Sequence, residues 1–242
     1  MDSKGKGLCL VIGSVAAIVG YFMWQFAVIG VNTEYNDVVT QLTQAAAGSG
    51  LMPLIVILIG VGLVINAVGL NGIKGTAPGS AETVGIFCVT VAILMFVVSL
   101  GGVVAMGEVG NKFVAVSAIA VAAAGAGDAA AAAAAGATAG ALAAAGGYTL
   151  AANTAIGQLG GLLFSLGFLC IGLAYKKSDF KGALSFIPLG WLAILAGAIG
   201  LVSTIIIGNI NVDTSNQVTG IAFLLSVIWA VLVGVKLIGS KE

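Results

Sequence analysis

The side chains that most often carry catalysis and metal binding are scarce in this sequence. Its 242 residues include no histidine, and its nine basic residues are all lysine. Without imidazole, the chain cannot assemble a Ser-His-Asp or Cys-His arrangement, nor the usual haem, copper or zinc sites. We therefore predict a protein that is not an enzyme, with no catalytic residues, no metal-binding residues and no cofactor or cofactor-binding residues.

Three cysteines remain as candidate ligands or nucleophiles. Cys9, Cys88 and Cys170 all lie inside long apolar runs, and no pair of them has CxxC spacing. Three scattered thiols cannot hold an iron–sulfur cluster. A thiol in an apolar run is most often an ordinary small buried side chain, and that is the interpretation we adopt.

Two short polar motifs invite a functional interpretation. Glu34 and Asp37 form a close acidic pair in a polar connection, and such a pair is most often a solvated turn at the end of a helix. The string GAGDAA at 125–130 matches a loose dinucleotide-binding fingerprint. It follows no predicted strand and lies in a tract of Ala and Gly, where such matches arise from composition, so we reject it.

The elements that must position any site are apolar throughout. Hydrophobic residues make up 60% of the chain and charged residues only 7%, against about a quarter charged in ordinary soluble domains. Six charge-free stretches are long enough to cross a bilayer, and they occupy residues 7–31, 51–73, 83–107, 156–175, 183–208 and 218–235. The predicted fold class is all-α: a polytopic transmembrane helix bundle of about six spans, forming a single membrane domain over residues 1–242.

The lysines test this count of spans. If the chain crosses six times, eight of them fall on one side of the membrane: Lys4, Lys6, Lys74, Lys176, Lys177, Lys181, Lys236 and Lys241. Only Lys112 falls on the other side, where the connections carry acids instead: Glu34, Asp37, Glu108, Asp128 and Asp213. By the positive-inside rule the lysine side is cytoplasmic. The pattern predicts an integral protein of the plasma membrane with both termini in the cytoplasm.

The first span begins after two lysines, as a secretory signal peptide would. It is longer than the apolar part of a typical signal peptide and has no convincing small-residue cleavage site, so we expect an uncleaved helix. Tyr21 and Trp24 near its outer end, and Tyr175 at the inner end of the fourth span, are expected to anchor at the membrane interface.

The segment 112–147 is nearly pure Ala and Gly in its second half. Alanine favours helix but gains little from transfer into lipid. We expect an outer or re-entrant helical hairpin, broken near 125–128, whose small residues allow close packing. A flexible low-complexity loop is the alternative, and a fully embedded hairpin would raise the count to eight spans.

Small residues at four-residue spacing recur within the spans. The pairs are Gly13 with Ala17, Ala16 with Gly20, Gly157 with Gly161, Ala193 with Gly197, and Ala196 with Gly200. Such pairs let helix backbones approach closely.

The polar side chains in the spans are mild, and we expect them to make hydrogen bonds between helices: Gln25, Asn66, Thr90, Ser99, Ser165, Ser203 and Thr204. Asn66 is the strongest functional candidate among them, because an unpaired amide is costly in lipid. Pro53 and Pro188 lie in the first turns of their spans, and Pro188 is expected to start a kink.

These patterns favour a structural function. We expect a non-enzymatic membrane subunit with a structural or accessory role in a larger complex. Its partners would be the lipid bilayer and other membrane subunits, or further copies of itself, met through small-residue helix faces. The alternatives are a transporter or channel for a small neutral or hydrophobic solute, and a membrane-embedded viral envelope or capsid protein. A formal net charge of zero and the lack of arginine argue against nucleic-acid binding.

Overall fold

The computed structural model describes residues 2–30, 34, 37–77 and 79–240. The predicted end of the first span at Val31, the position of Lys241 and the side chain of Asp213 lie outside what it describes. The protein is all-helical, with 86% helix and no strand in the described ranges. The all-α fold class is therefore confirmed.

Seven α-helices follow one another in the described residues. They are α1 (Ser3–Met23, continued by a π-helical segment Trp24–Ile29), α2 (Val38–Ala47), α3 (Met52–Gly72), α4 (Ser80–Gly125), α5 (Ala129–Lys176), α6 (Leu189–Ile205, followed by a short 3-10 turn Ile207–Asn209) and α7 (Val212–Gly239). All except α2 are long and apolar enough to cross a membrane, which makes six such helices in the described part of the chain. Six helices of this kind indicate an integral membrane protein.

Helices α4 and α5 run far beyond the third and fourth stretches that the hydropathy pattern marks as spans, and they take in the Ala/Gly-rich segment. Their ends leave only residues 126–128 outside a helix. Gly127 has φ +78°, a left-handed conformation that glycine adopts without steric cost. The Asp128 carboxylate then accepts a hydrogen bond from the N–H of Ala131 at 3.0 Å, which caps the start of α5.

Two helix starts differ from expectation for local reasons. Helix α6 begins at Leu189, six residues later than the predicted stretch, with Pro188 as its N-cap in an extended conformation. The expected kink at Pro188 is therefore wrong, because the proline precedes the helix.

Helix α2 was not predicted. Asp37 starts it by accepting a hydrogen bond from the N–H of Thr40 at 3.0 Å.

The chain divides into two compact units. Unit 1 contains the described residues of 1–19, 57–97 and 156–242, and unit 2 contains those of 20–56 and 98–155. Unit 1 holds the main apolar core, in which Leu10, Ile86, Val89, Ile171 and Trp229 are fully or almost fully buried. In unit 2 the amphipathic helix α2 buries Leu42 and Ala45 completely.

Glycines bring the helices of unit 1 into backbone contact. A Cβ on Gly62 of α3 would lie 2.6 Å from the backbone nitrogen of Ala17, and one on Gly13 would overlap the backbone nitrogen of Asn66. A Cβ on Gly197 of α6 would lie 2.6 Å from the carbonyl oxygen of Ser165 in α5. The predicted small-residue pairs around Gly13 and Gly197 therefore mark helix contacts, because only a missing side chain permits this approach.

The predicted pair of Gly157 and Gly161 behaves differently. A Cβ on Gly157 would meet no atom within 4 Å, and one on Gly161 would make an ordinary 3.5 Å contact with the Thr204 hydroxyl. This pair is not a close helix contact within the described residues.

The close approach of α1 and α3 predicts opposite effects for two Gly→Ala substitutions. Gly220 lies in the interior of α7 with open space where its Cβ would be, so Gly220→Ala should raise stability by up to about 1 kcal/mol through helix propensity. Gly13→Ala should instead lower stability by about 1–3 kcal/mol, because the new methyl group overlaps a neighbouring backbone. Thermal unfolding midpoints in detergent measure both. Equal shifts of the same sign would contradict the packing described.

Candidate functional site

The lysines of unit 1 converge on one end of that unit. A Cβ on Gly72, at the end of α3, would lie 2.9 Å from Cγ of Lys6, so the Lys6 side chain packs against this glycine. A Cβ on Gly7 would lie 2.8 Å from Ile238 in the last turns of α7. In the connection that follows α5, the N–H of Ala183 donates to the carbonyl oxygen of Leu232 in α7 at 3.0 Å.

These contacts join the start of α1, the ends of α3 and α7, and the connection that follows α5. We call the surface they form the lysine end, and its described members are Lys4, Lys6, Lys74, Lys176, Lys177, Lys181 and Lys236. All of them are exposed except Lys6, which is partly covered.

A buried carboxylate lies beneath the lysine end. Glu82, in the first turn of α4, is only 1% exposed. Its Oε2 accepts a hydrogen bond from the N–H of Gly75 at 2.6 Å, and its Oε1 accepts from the N–H of Ala77 and from the Thr76 hydroxyl, both at 3.0 Å. Three donors surround the carboxylate, so its charge is compensated by the connection between α3 and α4.

The same connection is tied to the end of α5. The hydroxyls of Thr76 and Tyr175 are 2.5 Å apart, and the Ser178 hydroxyl donates to the carbonyl oxygen of Thr76 at 3.2 Å. Glu82 therefore fixes the connection that carries Lys74, and that connection contacts the end of α5. This cluster is built to hold a loop in place, since its carboxylate oxygens are already occupied by donors of the chain itself.

One interface residue expected from the sequence has another role here. Tyr175 is 3% exposed and packs edge-on against the Trp229 ring at 5.4 Å between centroids, so its expected role as an interface anchor is wrong. A buried hydroxyl such as that of Tyr175 needs a hydrogen-bond partner, which here is Thr76. No sequence pattern marks Thr76 or its loop as that partner, so the burial of Tyr175 could not be predicted.

Replacing the carboxylate by an amide tests the cluster. Glu82→Gln places an NH₂ group against backbone N–H donors, and we expect a loss of about 1.5–3 kcal/mol of stability, the range for hydrogen bonds to charged groups. Glu108→Gln, at an exposed position of the same helix, is the matched control and should change little. Thermal unfolding midpoints in detergent compare the two. Equal midpoints would show that Glu82 does not secure the loop.

Polar side chains within the spans mostly join helices. The Asn66 amide donates to the Ser14 hydroxyl across α1 and α3, and Asn71 donates to the Thr90 hydroxyl at 3.0 Å across α3 and α4. Ser203 of α6 bonds to the carbonyl oxygen of Ser215 in α7 at 2.7 Å. For Asn66, Thr90 and Ser203, the expected hydrogen bonds between helices are confirmed.

Ser165 differs from these three. Its hydroxyl donates to the carbonyl oxygen of Gly161 in its own helix at 2.7 Å. Its expected hydrogen bond to a neighbouring helix is not made through this donor, although its backbone lies at the close contact with Gly197 described above.

The acidic pair of the first polar connection acts as a helix start. Asp37 accepts from both the hydroxyl and the N–H of Thr40, at 2.6 and 3.0 Å, and these bonds hold the pKa of the Asp37 carboxyl below its usual value. The carboxylate therefore supports α2 above the ordinary carboxyl pKa, and this support is lost as the pH falls through the lowered pKa. The Glu34 carbonyl oxygen accepts from the Gln41 side chain at 3.3 Å.

The second feature of interest is the part of α4 and α5 in unit 2 over residues 112–147, which we call the Ala hairpin. Gly146, near the end of the Ala hairpin at residue 147, packs against Leu42 of α2. A Cβ on Gly146 would lie 2.9 Å from Cδ1 of Leu42. Further out, a Cβ on Gly125, Gly136 or Gly140 would meet nothing within 4 Å. Apolar side chains of this part are exposed, with Ile119 at 58% and Val121 at 73%.

Comparison with known proteins does not extend this description. No protein-family model matches the sequence, and neither curated proteins nor solved structures give a significant match. Among the described residues, no three His, Cys, Asp or Glu side chains are grouped as metal ligands would be. The fold and its sites therefore define the class, a multi-helix integral membrane protein.

Proposed function

We propose that the chain crosses the lipid bilayer six times and serves as a non-enzymatic structural or accessory subunit of a larger membrane protein assembly. The grouping of seven lysines at one end of unit 1 supports this topology. By the positive-inside rule it favours a cytoplasmic position for the lysine end and for both termini. The plasma membrane is the location that fits this orientation best.

The Ala hairpin is the observation that carries the subunit role. About 20 residues of helix cross a bilayer, whereas α4 has 46 residues and α5 has 48. Each helix thus has more than 20 residues beyond what a crossing requires. Ile119 and Val121 are exposed in this additional length of helix. The Ala hairpin, to which they belong, has only Lys112 and Asp128 as ionisable side chains. A contact with another protein would cover these exposed apolar side chains.

The expected partner is another membrane subunit or a second copy of this chain. Smooth Ala and Gly faces favour helices packed at short distance, where dispersion contacts accumulate. A transporter of a small neutral solute is the second candidate, and Asn66 was its best-placed polar residue. The amide of Asn66 is engaged with Ser14, which favours a structural role for it.

Charges placed on the Ala hairpin test the proposed contact. Ile119→Glu with Val121→Glu should dissociate the partner or the second copy, because carboxylates would be buried unpaired in the contact. Asn216→Glu with Gln217→Glu adds the same charge at exposed polar positions of α7 and should leave the assembly intact. The readout is native purification in mild detergent, with light scattering for mass and identification of co-purifying chains.

The outcomes separate the two candidate functions. Loss of a partner in the hairpin variant alone supports the subunit role. A single homogeneous monomer in the wild type that moves a solute across liposome membranes would overturn that role and favour the transporter.

A further inference from the structure

The connection between α5 and α6, residues 177–188, is held in a fixed position on unit 1. The N–H of Ala183 donates to the carbonyl oxygen of Leu232 in α7 at 3.0 Å. The Ser178 hydroxyl donates to the carbonyl oxygen of Thr76 at 3.2 Å and accepts from the N–H of Phe180 at 3.1 Å. Bonds at both halves of the connection preorganise the side chains that it presents.

Apolar side chains on this connection point away from the protein. Phe186 is 77% exposed and Leu184 43%, and Trp191 in the first turn of α6 is 55% exposed. Aromatic and aliphatic side chains exposed at the end of a membrane-spanning helix are typical of the boundary between headgroups and acyl chains.

Three lysines lie at the end of α5 and on the same connection, and one of them contacts an exposed aromatic ring. Lys176, Lys177 and Lys181 are exposed, and the Lys176 Nζ lies 4.4 Å from the centroid of the Trp191 ring. The indole face orients this ammonium group, while its N–H donors remain available to an anion. The connection therefore combines cationic donors with an apolar surface at the same level.

We propose that the connection between α5 and α6 binds the headgroup of an anionic phospholipid in the leaflet at the lysine end. The lysines would meet the phosphate, and Phe186 and Leu184 would meet the first part of the acyl chains. Charge complementarity favours this occupant: the lysine end has seven described lysines, whereas its exposed described carboxylates are Asp2 and Asp179. The proposal requires that the lysine end lies at a membrane surface, but it does not depend on the subunit role.

The apolar side chains distinguish a lipid from a free anion. Inorganic phosphate would use the lysines alone and would gain nothing from Phe186. A phospholipid uses both parts, so that its retention should fall when either the charge or the apolar contact is removed.

The experiment measures phospholipid retained by the purified full chain in native mass spectrometry, after incubation with equal amounts of phosphatidylglycerol and phosphatidylcholine. The wild type should retain mainly phosphatidylglycerol. Replacing Lys176, Lys177 and Lys181 together by Gln should weaken that retention by about tenfold or more, because each lysine near an anionic surface contributes to binding. Phe186→Ser should weaken it by roughly threefold with no change of charge.

Two matched variants serve as controls. Lys4, Lys74 and Lys236 are exposed lysines of the same end, and replacing all three by Gln removes the same charge and should weaken retention by less than about threefold. Replacing Lys176, Lys177 and Lys181 by Arg keeps the charge and should keep the lipid. Thermal unfolding midpoints establish that every variant compared is folded.

Several results would overturn the proposal. Equal losses in the two Gln triple variants would mean general electrostatic attraction without a site. Equal retention of phosphatidylcholine would remove the role of headgroup charge. Displacement of phosphatidylglycerol by inorganic phosphate, together with no effect of Phe186→Ser, would assign the lysines to a free anion. None of these results would alter the test of the Ala hairpin, which measures protein association.

Discussion

The absence of water in hydrocarbon is the constraint on which this structure depends. A backbone amide in that medium must find its partner within the chain, which leaves the helix as the form of every apolar stretch. Apolar side chains then gain little by leaving lipid for each other, so that helices associate through close contact instead. The glycines of unit 1 meet this need, as Gly13 does against Asn66, Gly62 against Ala17 and Gly197 against Ser165.

The same constraint explains where the polar groups lie. Several hydroxyls and amides within the spans are paired across helices, as Asn66 is with Ser14 and Ser203 with Ser215, whereas Ser165 bonds within its own helix. The one buried carboxylate among the described residues, Glu82, is at a helix start, where free backbone N–H groups of the neighbouring turn compensate its charge. Except for Lys112, which lies within the long helix α4, the described lysines lie at helix ends or in connections. Seven of them are grouped at the lysine end, which is therefore a coherent charged surface.

Much of the fold follows from the sequence because it depends on local composition. Long charge-free stretches predict the six apolar helices, and small residues at four-residue spacing predict the contacts of Gly13 and Gly197. Features that depend on distant partners are not predictable in this way. The cluster of Glu82 with Thr76 and Tyr175 joins residues almost a hundred positions apart in sequence. Helix α2 is short and amphipathic, so that it lacks the length by which a span is identified.

The Ala/Gly-rich segment shows the limit of hydropathy as a guide. Alanine has high helix propensity and small transfer free energy, and therefore the sequence alone does not separate a loop, an outer hairpin and an embedded hairpin. In the structure this segment continues α4 and α5 and is broken only at 126–128.

The central claim is that exposed apolar side chains of the spans are solvated by hydrocarbon, with the lysine end on the cytoplasmic side. A cysteine-accessibility scan tests it directly, with Cys9, Cys88 and Cys170 replaced by serine and single cysteines introduced at Val64, Lys74 and Asp128. Val64 is 49% exposed on α3, so that a thiol there would react with an aqueous maleimide if water surrounded it. We expect no reaction at 64, reaction at 128 with an impermeant reagent added outside the cell, and reaction at 74 only after the membrane is opened. Labelling at 64 in the intact membrane, or at 74 from outside, would contradict the account.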